Sequence, residues 1–98
     1  MTILKNREGD KLILALEGRL DTTTAPQLER EIREGLDGVT DLEFDFLNLA
    51  YISSAGLRVM LSAQKRMNKQ GNMTLRNVNH DVMEIFHITG FADILHIV

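Results

Sequence analysis

The chain reads as a small α/β domain in the order β-β-α-β-α-β-α-β, a mixed β-sheet with helices packed mainly on one face. Three observations predict it. Asp41–Phe46 alternates polar and apolar residues and so places Leu42, Phe44 and Phe46 on one face of a strand. Leu28, Ile32 and Leu36 recur at helical spacing, as do Leu57, Met60, Leu61, Gln64 and Met67. Strand-like and helix-like stretches also take turns along the whole sequence. The 98 residues suffice for one core and not two, so residues 1–98 form a single domain.

Composition narrows the function. Hydrophobic content of 44% and charged content of 26% are those of a globular domain, and no apolar run reaches membrane-spanning length, so no membrane insertion is expected. A net charge of -3 with scattered basic residues argues against direct nucleic-acid binding, which draws its main electrostatic term from a basic patch. There is no cysteine, hence no disulfide or thiolate chemistry, and the start lacks the layout of a signal peptide; a cytoplasmic protein, monomeric or weakly dimeric, is the expectation.

Thr2–Arg7 and Lys11–Glu17 read as a hairpin around Glu8-Gly9-Asp10. In the second strand Leu12, Leu14 and Leu16 share one face and Ile13 and Ala15 the other, as in an interior strand covered on both sides. Gly18–Thr24 reads as a loop. Thr24 with Gln27 fits a capping box before a helix from Ala25 to Leu36, with Pro26 in its first turn. Glu29, Arg30, Arg33 and Glu34 form its solvated side. Gly38 ends that helix, and the Asp41–Phe46 strand leads through Tyr51 to a helix over Ser54–Gln70, stopped by Gly71. Lys65, Arg66 and Lys69 in its last turns complement its dipole. A strand over Asn72–Val78, a short helix from Asp81 to Thr89 capped by Asn79 and closed by Gly90, and a terminal strand or tail over Ile94–Val98 complete the chain.

The stretch that carries chemistry is Ser53-Ser54-Ala55-Gly56-Leu57. Ser53 suits the N-cap, where its hydroxyl accepts from a first-turn amide. Ser54 is then the first helical residue, at the positive end of the dipole, where a phosphoryl group is well received. Ala55 and Gly56 carry almost no side chain and leave the backbone there open to close approach. The stretch follows a strand, and open α/β sheets place their working sites along that carboxyl edge, so Asp21, after the second strand, is expected near Ser54. Other chemistries find little support. His80 and His87 are seven apart, too far for an i,i+3 or i,i+4 metal pair, and no metal or cofactor is expected. Ser54 has no histidine near it in sequence to act as a hydrolytic base, and no phosphate-binding loop of the Walker type is present, so no enzyme activity is expected.

Ser53-Ser54-Ala55-Gly56-Leu57 resembles the Asp-Ser-(Ser/Ala)-Gly-Leu signature of the STAS domain, the family named for sulfate transporters and anti-sigma factor antagonists. Glu17-Gly18-Arg19-Leu20-Asp21 is similar to the family's Gly-x-Leu-Asp loop, Phe44-Asp45-Phe46 to its central strand, and Thr89-Gly90-Phe91-Ala92-Asp93 to its late Thr-Gly-Leu-x-Asp turn. Ser53 stands where the signature has an acidic residue. The resemblance implies a STAS-like fold and an anti-sigma factor antagonist. Such a protein binds an anti-sigma factor serine kinase when unphosphorylated, frees a sigma factor, and is switched off by phosphorylation at Ser54. A PP2C-type phosphatase resets it, and ATP comes with the kinase. Asp21, Thr22, Thr23, Ser53, Gly56, Leu57 and Arg58 are the expected partner contacts. The alternative it allows is a non-phosphorylated accessory subunit, docking a partner such as a lipid-transport assembly.

Overall fold

A computed structural model describes residues 1–98. The elements are β1 (Thr2–Glu8), β2 (Lys11–Leu20), α1 (Ala25–Gly35), β3 (Asp41–Ile52), α2 (Ser54–Gln70), β4 (Asn72–Arg76) and α3 (His80–Thr89), followed by a 3-10 turn at Phe91–Asp93. One four-stranded sheet runs in the order β1-β2-β3-β4. β1 lies antiparallel to β2, while β2, β3 and β4 are parallel, as the two helix crossovers require. The mixed sheet and the helices match the expected fold class. No helix is long and apolar enough to cross a membrane.

The core is one continuous cluster. Leu12, Leu14 and Leu16 of β2 and Leu42, Phe44 and Phe46 of β3 meet Leu28 and Ile32 of α1, Met60, Ala63 and Met67 of α2, and Val82 and Phe86 of α3. Phe46 packs edge-on to Phe44, with centroids 6.1 Å apart, and tilted against Phe86 at 6.5 Å, which ties α3 to the sheet.

The far end of α2 finishes α1. Arg66 Nη1 donates to the Ile32 and Arg33 carbonyls, each at 3.3 Å, and Gln70 Nε2 donates to Leu36 O at 2.7 Å and Val39 O at 2.6 Å. These carbonyls lie in the last turn of α1 and in the loop that follows it. Arg66, expected to complement its own helix, thus serves its neighbour's terminus. Gly71 is extended (φ 171°), so its role is not a left-handed stop. A Cβ there would fall 1.9 Å from the Thr40 carbonyl oxygen, and only glycine lets α2 close onto the Thr40 backbone.

Four details depart from the sequence reading. Ile13 and Ala15 are half-buried on an open sheet face rather than covered, because the helices pack on the leucine face; that open face carries Glu43, which pairs with Arg76 at 2.8 Å and Lys11 at 3.8 Å. β2 continues to Leu20 and β3 to Ile52, beyond the places where alternation stops. Register shifts between Ala15 and Glu17, and between Gly18 and Arg19, break the period without ending the pairing. The capping box at Thr24 does not form; the Thr24 hydroxyl donates to Arg19 O at 2.7 Å and accepts from the Asp21 amide at 2.8 Å. β4 stops at Arg76, ahead of the left-handed Asn77 (φ 59°). Of the two forms expected for Ile94–Val98, strand or tail, the tail is found, with a single bridge from Leu75 to Ile97.

Candidate functional site

The site forms where β2 and β3 end side by side. Leu20 pairs with Ile52, and the Ser53 amide donates to the Leu20 carbonyl at 2.9 Å. Past that bond the chains part: Asp21 opens the loop into α1, and Ser53 opens α2. Asp21 and Ser54 therefore each stand one residue beyond the same hydrogen bond, on the sheet edge where the sequence reading placed them.

Ser53 takes the N-cap with extended backbone (φ -97°, ψ 177°), and its hydroxyl accepts from the Gly56 amide at 3.4 Å. Its carbonyl receives the Leu57 amide at 2.9 Å, the first turn of the helix. Ser54 is the first residue of α2 and is exposed. Gly56 and Leu57, expected as partner contacts on an open backbone, are instead buried. A Cβ on Gly56 would lie 2.8 Å from both Ile52 Cγ1 and Leu20 Cγ, so the missing side chain lets α2 sit against the strand ends. Smallness here serves the packing beneath Ser54 rather than access from outside.

Asp21 is engaged by its own loop. Its Oδ1 accepts from the Thr23 hydroxyl at 2.8 Å, the Thr23 amide at 3.0 Å and the Thr24 amide at 3.2 Å. These donors, the Thr23 hydroxyl foremost, hold its carboxyl below the usual aspartate range against a smaller opposing effect of burial. Its other oxygen lies 3.7 Å from Arg19 Nε. Thr22, Thr23 and Arg58 are exposed and Asp21 and Ser53 half-buried, so these five reach the surface together with Ser54.

Arg19 and Tyr51, which the sequence reading left out, belong to the same edge. They are register partners across β2 and β3, and the Arg19 guanidinium lies 4.4 Å from the Tyr51 ring centroid. Leu47, 66% exposed, and Tyr51 are apolar groups facing outward from the irregular second half of β3. The signal was the loss of alternation after Phe46, which exposes Leu47 and Asn48 and then Ala50 and Tyr51.

A shallow groove of about 360 Å³ leads away from the site between α1 and α2, lined among others by Thr22, Pro26, Glu29, Ala55, Arg58 and Ser62. Elsewhere, His80, Asp81 and Glu84 gather at the start of α3, all exposed, with His80 Nε2 3.8 Å from Glu84 Oε1. Glu84 is the i,i+4 neighbour of His80 on that helix.

The STAS domain profile matches residues 2–98. A candidate anti-sigma factor antagonist, BtrV of Bordetella bronchiseptica, is 36% identical over 96 residues, covering 96% of this chain and 83% of its own. The anti-sigma-B factor antagonist of Bacillus subtilis is 30% identical over 95 residues, covering 96% and 86%. Among solved structures, the Bacillus cell fate determinant SpoIIAA in its phosphorylated form superposes with a TM-score of 0.77 at 18% identity, over 99% of this chain and 91% of its own. With the whole chain matched in sequence and the same architecture beneath it, this protein belongs to the STAS domain family.

Proposed function

We propose that this protein is an anti-sigma factor antagonist switched by phosphorylation of Ser54. In the unphosphorylated state it binds an anti-sigma factor that is also a serine kinase, and so releases a sigma factor. The observation that carries this reading is the exposed Ser54 side chain at the first position of α2. Two features support it. Relatives over nearly the whole length bear the name of antagonist, and a structural neighbour, SpoIIAA, is known in a phosphorylated form.

The chemistry follows from the setting. The kinase brings ATP; the Ser54 oxygen bonds to the γ-phosphorus, the bond from that phosphorus to the β,γ-bridging oxygen breaks, ADP leaves, and the hydroxyl proton passes to a base on the kinase. The product carries about -1.5 to -2 charge at neutral pH. Within this chain that charge sits at a helix start, where it is tolerated. In a packed interface the same charge must be desolvated beside the partner, which opposes binding. Asp21, Thr22, Thr23, Ser53 and Arg58 form the contact surface around it, a PP2C-type phosphatase resets the switch, and the protein works in the cytoplasm as a regulator rather than an enzyme.

The test is incubation with the cognate kinase and ATP, with the phosphate mapped by mass spectrometry. Labelling at Ser54 that vanishes in Ser54→Ala is the expected result. Labelling that persists in Ser54→Ala removes the assignment.

A further inference from the structure

Building on the reading of Ser54 as phosphoacceptor, we propose that Arg58 is a built-in clasp for the phosphate, pairing with phosphorylated Ser54 within the same chain across one turn of α2. Ser54 and Arg58 are four residues apart on one helix, the spacing at which side chains become neighbours. Side chains on a helix lean toward its N-terminus, so Arg58 inclines over the turn that Ser54 begins. The direction favours the pair.

Arg58 is also free to act. It is exposed and makes no ion pair, and the first turn of α2 holds no acidic residue for it to meet. The nearby carboxylates have other partners. Asp21 accepts from Thr23 and Thr24 and faces Arg19, and Glu29, across the groove, pairs with Arg33 at 3.5 Å. First-turn amides are common to every helix start; what is particular to this chain is an unpaired guanidinium one turn behind the acceptor. Its planar fork suits two phosphate oxygens at once. Thr22 lines the same groove as Arg58. The unmodified surface thus displays Arg58 to a partner, and phosphorylation withdraws it. The switch then removes a positive contact as well as adding a negative charge.

The experiment installs phosphoserine at position 54 by genetic encoding, which needs no kinase and so keeps this test separate from the labelling test of Ser54 itself. The ³¹P signal is followed against pH in the wild-type background, in Arg58→Gln and in Lys65→Gln, a control that removes an exposed charge further along α2. The clasp holds the phosphate's second pKa below the ordinary value near 6. Arg58→Gln is expected to raise it by about 0.3–0.7 unit at low salt, a difference that shrinks at 1 M salt, while Lys65→Gln stays at the wild-type value. Equal values in wild type and Arg58→Gln, or an equal rise in Lys65→Gln, overturns the proposal. Failure of the kinase to label Ser54 would instead strike the function and leave this measurement standing.

Discussion

The Ser53 amide and the Leu20 carbonyl, 2.9 Å apart, close the seam between β2 and β3 at the point where both strands give way to the site. Immediately beneath, Gly56 rests on Leu20 and Ile52. Ser54 is thus mounted over closely packed strand ends, so a phosphate placed there would add charge at the surface and not in the core.

Gly56→Ala puts a methyl group 2.8 Å from Leu20 Cγ and Ile52 Cγ1. Overpacking of this kind costs about 1–3 kcal/mol. Urea unfolding should give a lower midpoint with an unchanged slope. An unchanged midpoint would mean that α2 shifts freely against the strand ends, and the rigid mounting would be wrong.

Gly71→Ala and Gly35→Ala should part company. At Gly71 the new Cβ meets the Thr40 carbonyl oxygen at 1.9 Å, a backbone atom that cannot swing aside, and the loss should reach about 3 kcal/mol or more. At Gly35, the last residue of α1, nothing lies within 4 Å, and alanine should stabilise by about 0.4–1 kcal/mol through the unfolded state. Thermal unfolding of the two variants reads the contrast directly.

The two serines should separate in the same way. Ser53→Ala loses the cap bond to the Gly56 amide and should cost about 0.5–1 kcal/mol, toward the lower part of the range for caps because that bond is 3.4 Å long. Ser54→Ala removes an exposed hydroxyl that caps nothing and should stay within about 0.5 kcal/mol of wild type. Comparable losses in both variants would show the cap to be shared.

Asp21 makes stability depend on pH. Its folded carboxyl titrates below the usual aspartate range, chiefly through the Thr23 hydroxyl. A depressed folded value contributes stability that is fully present above the unfolded pKa of about 3.9 and is lost as pH falls through the folded one. The stability gap between wild type and Asp21→Asn should therefore be constant above about pH 5 and narrow below pH 4. A gap that widens in acid would reverse the sign of the linkage. Carboxyl NMR titration of Asp21 checks the folded value independently.

How far the sequence revealed this arrangement depends on how local each cause is. The span of α2 was legible because Ser53 and Gly71 flank it directly and the apolar period runs through it. Asn79 and Gly90 marked α3 equally well, with the Asn79 side chain accepting from the Val82 amide at 2.9 Å and Gly90 left-handed at φ 82°. What escaped was tertiary. That Gln70 satisfies Leu36 and Val39 carbonyls some thirty positions earlier leaves no trace in either segment's pattern. Thr24 matched the capping box, yet its hydroxyl was claimed by Arg19 O from the preceding strand. At the site, Ser54 and Asp21 could be placed on one edge from strand ends alone. The inward role of Gly56 could not, since a small residue reads alike whether it admits a partner or a neighbouring strand.

The most direct measurement is the affinity of the cognate anti-sigma kinase for this protein with and without phosphoserine installed at position 54. If one phosphate in the interface is the switch, the modified protein should bind at least about tenfold more weakly while its circular dichroism spectrum stays that of the unmodified fold. Equal affinities for the two forms would contradict the account.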